Sequence, residues 1–178
     1  MIEATYIDHM GNDLTIVNSA RVSFGKKSDW IQRVYSGEPQ LLHNKDIKLI
    51  HYLAKHNHKS PFNHVFTTFH VKAPIFVARQ LQKHEYMPWN EISRRYVDSE
   101  PEFYIPEVWR GRSKDKKQGS SGAVGMIDVN GKFPLSATTI QSLSDGKALE
   151  AYRNFIDAGV APEQARMVLP QSTMTEWY

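Results

Sequence analysis

Residues 79–96 hold most of the side chains in this chain that can do chemistry. Gln80, Lys83 and His84 come first, a turn through Pro88 follows, and then comes Asn90-Glu91-Ile92-Ser93-Arg94-Arg95-Tyr96. On a helix, Gln80, Lys83 and His84 share one face by i, i+3, i+4 spacing. In an extended segment, Glu91, Ser93 and Arg95 point to one side and Asn90, Ile92, Arg94 and Tyr96 to the other. An arginine fork and a serine hydroxyl suit phosphate oxygens. Gln80 and Glu91 suit the polar edge of a base. The pattern points to a phosphorylated ring compound. The same spacing also fits a salt-bridged helix–strand corner, with Glu91 paired to Arg94 or Lys83.

Composition narrows the alternatives. The chain has no cysteine, which removes disulfides, Cys-ligated zinc, iron–sulfur clusters and a thiolate nucleophile. His51, His56, His58, His64 and His70 lie close in sequence. They lack the helical-face or His–carboxylate spacing of a metal site, so no metal is assigned. The net charge of +3 is mild and fits anionic small molecules or weak nucleic-acid attraction, and by itself decides neither. Its basic excess, Arg110, Arg112, Lys114, Lys116 and Lys117, reads as a solvated loop, and nucleic acid is not the expected partner. The N-terminus has neither the basic start nor the apolar stretch of a signal peptide. No run approaches the ~20 apolar residues of a membrane span. The expectation is a soluble cytoplasmic protein with no membrane partner.

The elements that must position these side chains read as α+β. At 178 residues the expectation is a single domain, large enough to bury roughly 70% of its unfolded surface. Residues 2–7 read as a strand. Gly11-Asn12-Asp13 is a turn able to cap a helix over 14–21. Residues 25–43 are polar and irregular. Asn44 reads as the N-cap of a helix to position 55, with Asp46 in its first turn and Ile47, Ile50, Leu53 and Ala54 as its apolar stripe. Residues 65–72 alternate as a strand. The pattern predicts a helix over 75–84, a short strand over 103–105, a helix over 137–158 closed by Gly159, and a short helix from 162 to 169. Residues 111–133 lack periodicity and read as a flexible surface loop.

Several blocks together resemble the flavin-dependent thymidylate synthases (ThyX). The family signature runs Arg-His-Arg, seven residues, Ser, with Asn-Glu before that Ser and Arg-Tyr after it. Here the run is Lys83-His84-Glu85, seven residues, Ser93, with Asn90-Glu91 and Arg95-Tyr96 in place. Gly11-Asn12-Asp13-Leu14 with Ala20-Arg21-Val22-Ser23-Phe24 is similar to the family's N-terminal unit. Ser60-Pro61-Phe62-Asn63-His64, the run from Phe69 to Gln80, Glu102-Phe103-Tyr104-Ile105-Pro106 and Ala165-Arg166-Met167-Val168-Leu169-Pro170 are similar too.

The resemblance implies a ThyX-like α+β domain over 1–178, with packed helices and a mixed or antiparallel sheet. It implies conversion of dUMP to dTMP, with methylenetetrahydrofolate as carbon donor and NADPH as reductant through FAD. It implies a homotetramer whose active sites draw on more than one chain. Carried over by position, the dUMP set is Gln80, Lys83, Glu91, Ser93, Arg94, Arg95 and Arg166, with Arg166, Ser93 and Glu91 closest to catalysis. The FAD set is Ser23, Ser60, Lys83, His84, Glu85 and Glu91. His58 falls where a folate or nicotinamide stacking residue is expected; a solvent-exposed loop histidine is its other reading. For Ser23 and Ser60 the other reading is helix-end and turn capping.

The departures are specific. Lys83 keeps charge but lacks the bidentate fork of the arginine it replaces. Glu85 reverses the charge of the third basic position. Pro88 stands where Ser is common and stiffens the turn. Family members usually continue past position 178, with an Arg that promotes uracil ionisation and flavin-contacting Asn residues. These departures motivate the alternative of a catalytically impaired ThyX-like nucleotide- or nucleic-acid-binding protein.

Overall fold

The computed structural model describes residues 1–31, 41–97, 99–115, 117, 119–131 and 133–178. Part of the irregular 25–43 stretch, residues 32–40, lies outside these, as does Lys116 of the basic run. The elements are β1 (Glu3–Met10), α1 (Asp13–Arg21), a 3₁₀ turn (Val22–Phe24), α2 (Asn44–Lys55), a 3₁₀ turn (Ser60–His64), β2 (Phe66–Pro74) and α3 (Ile75–Leu81). There follow β3 (Arg110–Arg112), β4 (Ser120–Ala123), β5 (Met126–Val129), β6 (Phe133–Ser136), α4 (Ala137–Asp157), α5 (Pro162–Ala165), a 3₁₀ turn (Arg166–Val168) and β7 (Met174–Trp177). The strands form one sheet in the order β1-β2-β7 and two hairpins, β3–β4 and β5–β6. The chain is α+β, with antiparallel pairing in β2–β7 and in both hairpins. It divides into two compact units, Thr5–His70 and Met1–Ala4 with Val71–Tyr178.

In the unit Thr5–His70, α1 starts where its sequence says it should. Asn12 accepts the Thr15 N–H and Thr15 Oγ1 accepts the Asn12 N–H, a reciprocal capping box. Gly11 precedes it at φ +77°, and a Cβ there would stand 2.7 Å from the His64 carbonyl oxygen. Only glycine suits that close approach. Asn44 is the first residue of α2 rather than its cap. His43 holds the cap position, and its carbonyl takes the Asp46 and Ile47 N–H groups. Asp46 does more than sit in the first turn: its side chain is fully buried, paired with Arg21 and hydrogen-bonded by Ser28 Oγ at 3.0 Å. Burial pushes this carboxyl up, but the Arg21 and Ser28 hydrogen bonds and the guanidinium charge outweigh it, leaving it below the ordinary carboxylate value. Of the expected α2 stripe only Leu53 is buried. The helix ends in a Schellman turn, with Asn57 at φ +56° and the His58 N–H on the Leu53 carbonyl.

In the unit Met1–Ala4 with Val71–Tyr178, the core gathers Ala73, Ala78 and Trp177, with Val71, Val77, Leu81 and Trp89 packed on it. β7 pairs with β2 in the register Val71↔Trp177 to Pro74↔Met174. A period of two therefore puts Val71, Ala73, Thr175 and Trp177 on one face. The α3 N-terminus is satisfied from the approach to β7: the Ile75 N–H goes to the Thr173 carbonyl and the Phe76 N–H to Gln171. α4 runs from a Ser136 cap to Gly159, which takes φ +79° just past the end, as expected.

Further expectations change, and the helix expected from 162 to 169 is α-helical only over Pro162–Ala165 before a 3₁₀ turn. The helix over 75–84 stops at Leu81, so Lys83 and His84 lie in the turn beyond it. Residues 103–105 give a single bridge, Phe103 to Thr173, instead of a strand. Residues 111–133 and their flanks carry β3 to β6, whose four-residue or shorter strands are too brief for a period to show.

Candidate functional site

The carboxylate of Glu91 is the best-braced of the expected site groups. Residues 90–92 extend the sheet beside β7: the Asn90 and Tyr178 N–H groups reach each other's carbonyls, and the Ile92 N–H reaches the Glu176 carbonyl at 2.9 Å. Glu91 and Trp177 form the bridge between these rungs. In an antiparallel ladder that is the non-hydrogen-bonded pair, whose side chains stand closest on one face. Trp89, two residues earlier, stacks on Trp177 with centroids 4.6 Å apart and 19° between planes. Trp89 Nε1–H donates to Glu91 Oε2 at 3.0 Å, and Thr175 Oγ1–H donates to Oε1 at 2.5 Å. Neither Arg94 nor Lys83 takes Glu91, so the salt-bridged corner is not what forms. Thr175 and Trp89 had no motif to announce them; their roles come from the cross-strand register alone.

Ser93 follows Glu91 without continuing the strand. The chain turns over Ser93 to Tyr96, the Tyr96 N–H reaching the Ser93 carbonyl at 3.0 Å and the Arg95 N–H reaching Ser93 Oγ at 3.3 Å. Arg95 stands exposed, its guanidinium 5.5 Å from the Tyr96 ring centroid. The alternation thus carries Glu91 but not Arg95, which a tight turn presents. Arg94 bonds the Ser99 carbonyl and lines a small recess with Lys72, Glu100, Glu102 and Glu176. There Lys72 and Glu102 pair at 2.9 Å; that hydrogen bond raises the Lys72 value and lowers that of Glu102.

On the other side of Pro88, Gln80 is exposed on α3. Lys83, His84 and Glu85 are exposed in the turn that follows. The His84 N–H reaches the Leu81 carbonyl at 3.0 Å. His84 Nδ1 is 3.1 Å from the same oxygen. A carbonyl only accepts, so Nδ1 carries a proton in this contact. Tyr86 closes this turn at φ +63°, 90% exposed. Arg166 is exposed in the 3₁₀ turn after α5, its Nε donating to the Glu163 carbonyl at 3.4 Å.

In the other unit, Ser23 and Ser60 are exposed in the two 3₁₀ turns. Neither caps: Arg21 and Lys59 hold those cap positions without side-chain bonds. His58 lies past the α2 end, its ring nearly parallel to that of Tyr52 with centroids 6.2 Å apart. Within the unit Met1–Ala4 with Val71–Tyr178, the exposed Lys83 ammonium and His84 imidazole suit an anionic ligand, and the Glu85 carboxylate beside them does not.

A cleft of about 1560 Å³ holds none of these side chains. It is lined by Phe76, Tyr104, Trp109 and Ile140 among others. Asp145 at its wall accepts from Gln141 Nε2 and Ser172 Oγ, fastening α4 to the approach of β7. None of the residues expected at the site lines it, and its Asp145, Gln141 and Ser172 bond one another. Among the described residues no group of three or more His, Asp or Glu side chains is placed to hold a metal ion, and no helix is long and apolar enough to cross a membrane.

Residues 5–178 match the family model described as Thymidylate synthase complementing protein. A flavin-dependent thymidylate synthase of Thermus thermophilus is 42% identical over 97% of this chain and 56% of its own length. One from Kosmotoga olearia is 41% identical over 97% of this chain and 67% of its own. This chain thus spans little more than half to two thirds of these relatives. The crystal structure of a UMP/dUMP methylase, PolB from Streptomyces cacaoi, bound with 5-Br dUMP, superposes with a TM-score of 0.74 at 31% identity, covering 99% of this chain and 71% of that one. Match and fold agree across both units: the chain belongs to the thymidylate synthase complementing protein family, that of the flavin-dependent thymidylate synthases.

Proposed function

We propose that this chain forms the nucleotide- and flavin-binding part of a thymidylate synthase that methylates dUMP to dTMP. The carrying observation is the braced Glu91 with Ser93 and Arg95 presented in the next turn. It stands in a family whose relatives are named flavin-dependent thymidylate synthases. Arg95, Arg166 and Ser93 hold the phosphate, with Gln80 and Glu91 toward the base and Arg94 shaping the turn. Lys83 and His84 hold FAD, with Glu85 beside it, and the family resemblance assigns Ser23 and Ser60 to flavin contact as well. Bound and reduced, the flavin supplies the hydride. NADPH is the reductant and methylenetetrahydrofolate the carbon donor, with His58 available for stacking on either.

The chain acts as one catalytic domain in the cytoplasm and assembles as a homotetramer. Support for assembly comes from apolar side chains left in the open. β1 is exposed along its whole length, including Tyr6, Ile7 and Met10. Val22, Phe24 and Met167 are more than 70% exposed. Such exposure marks surfaces that meet partners or ring ligands.

Purified full-length protein tests the reading. A bound flavin spectrum in the visible, bleached by NADPH when dUMP is present, is the expected result. Protein that is colourless and takes up no added FAD sinks it. If such protein still binds dUMP, the reading of a nucleotide-binding relative without turnover replaces it.

A further inference from the structure

We infer that Thr175 is a positioning residue for Glu91, which makes β7 part of the ligand site. The inference rests on the reading of Glu91 as a nucleotide- or flavin-facing group. Thr175 is 7% exposed on a strand whose neighbours Met174 and Trp177 are core. An apolar β-branched residue would fill that place equally well. Its hydroxyl instead reaches 84 positions back in the chain to Glu91 Oε1.

A carboxylate offers about four lone-pair sites, two on each oxygen. Thr175 and the Trp89 indole take one on each oxygen. One site per oxygen is left for a ligand. The donors are neutral, so the negative charge is not spent on an internal ion pair. The two donors also fix the plane of the carboxylate, since they come from β7 and from the stacked Trp89 on the same face. A flexible glutamate is thereby ordered before any ligand arrives, and preordering lowers the cost of binding. The fitting ligand group is a ring N–H donor, which both the uracil and the flavin ring carry.

Dissociation constants for dUMP and for FAD, each titrated alone, test this in full-length protein. Melting temperature serves as the check on folding. Thr175→Val keeps the shape and removes the donor. It should weaken one ligand about five- to tenfold at unchanged melting temperature. The ligand affected identifies which ring Glu91 meets. Thr175→Ser restores the hydroxyl and should stay within about twofold of the native chain. With Glu91→Gln already present, Thr175→Val should add nothing.

If Glu91→Gln weakens binding but Thr175→Val does not, the positioning role is wrong and the ligand role of Glu91 stands. Additive losses in the double variant overturn it as well. If Glu91→Gln leaves both affinities unchanged, the ligand role fails and the positioning role fails with it. Should the valine variant not fold, Thr175→Ala against Thr175→Ser makes the same comparison.

Discussion

Residues 82–87 and residues 90–92 sit on either side of Pro88, and both carry side chains the family resemblance marks for binding. The second stretch is a rung of the sheet, bonded by backbone to Glu176 and Tyr178 and by side chain to Thr175, with Trp89 stacked on the core residue Trp177. The first is a turn whose backbone bonds reach only Ala78, Gln80 and Leu81 of the helix just before it, with every side chain exposed. The departures from the family signature at Lys83 and Glu85 lie in the first. The matches at Asn90, Glu91, Ser93 and Arg95 begin in the second. A residue built into a sheet register is constrained by folding and by binding together. A residue in an exposed turn is constrained by its ligand alone, so its chemistry can drift without loss of the fold.

The largest expected effect tests the structural side of this contrast. Trp177→Ala removes the ring that Trp89 stacks on and opens the core beside Ala73 and Ala78. It should cost about 3–5 kcal/mol of unfolding free energy. Tyr86→Ala, in the exposed turn, should change stability by no more than about 0.5 kcal/mol. Denaturant melts of the two variants decide the matter. Equal losses would mean that the two sides of Pro88 are equally built into the fold.

The same contrast explains what the sequence could show. Helices showed through local end signals: the Gly11-Asn12-Asp13 turn before α1 and Gly159 after α4 both act as expected, and Asn44 missed the start of α2 by one residue. β7 gave no such signal. Met-Thr-Glu-Trp is too short for alternation to register, and its burial comes from β2 and residues 90–92, which are distant in sequence. The braces of Glu91 were invisible for the same reason. The spacing of Glu91, Ser93 and Arg95 suggested one continuous strand, but the chain turns at Ser93, because its carbonyl and hydroxyl capture the next N–H groups. Asp46 was legible as a first-turn acid, not as the buried partner of Arg21, which only tertiary contact decides.

An intermediate effect tests the binding side. If Arg95 meets the nucleotide phosphate, Arg95→Ala should weaken dUMP by about 1.5–3 kcal/mol, the range for a hydrogen bond to a charged group. Because Arg95 is exposed and outside the core, the melting temperature should hold. FAD affinity measured without dUMP should also hold, which separates a phosphate contact from a general loosening of the turn. Unchanged dUMP affinity would take Arg95 out of the site.

The smallest expected effect is the sharpest test of drift in the exposed turn. Glu85 occupies a position where the family signature is basic, and it is open to solvent. If FAD passes close to it, Glu85→Arg exchanges a repulsion for an attraction. At an exposed site that change is modest, and FAD should bind about two- to fivefold tighter at low salt. Glu85→Gln removes only the repulsion and should recover part of the gain. Raising ionic strength to ~1 M, where screening acts over ~3 Å, should erase most of the difference between variants. Affinity for dUMP should not move, because residues 90–92 keep their bonds to β7 in every variant. FAD affinity that is the same for Glu85, Gln and Arg at low salt would show that this side chain faces away from the flavin. The charge reversal would then be neutral drift in a turn that the fold does not police.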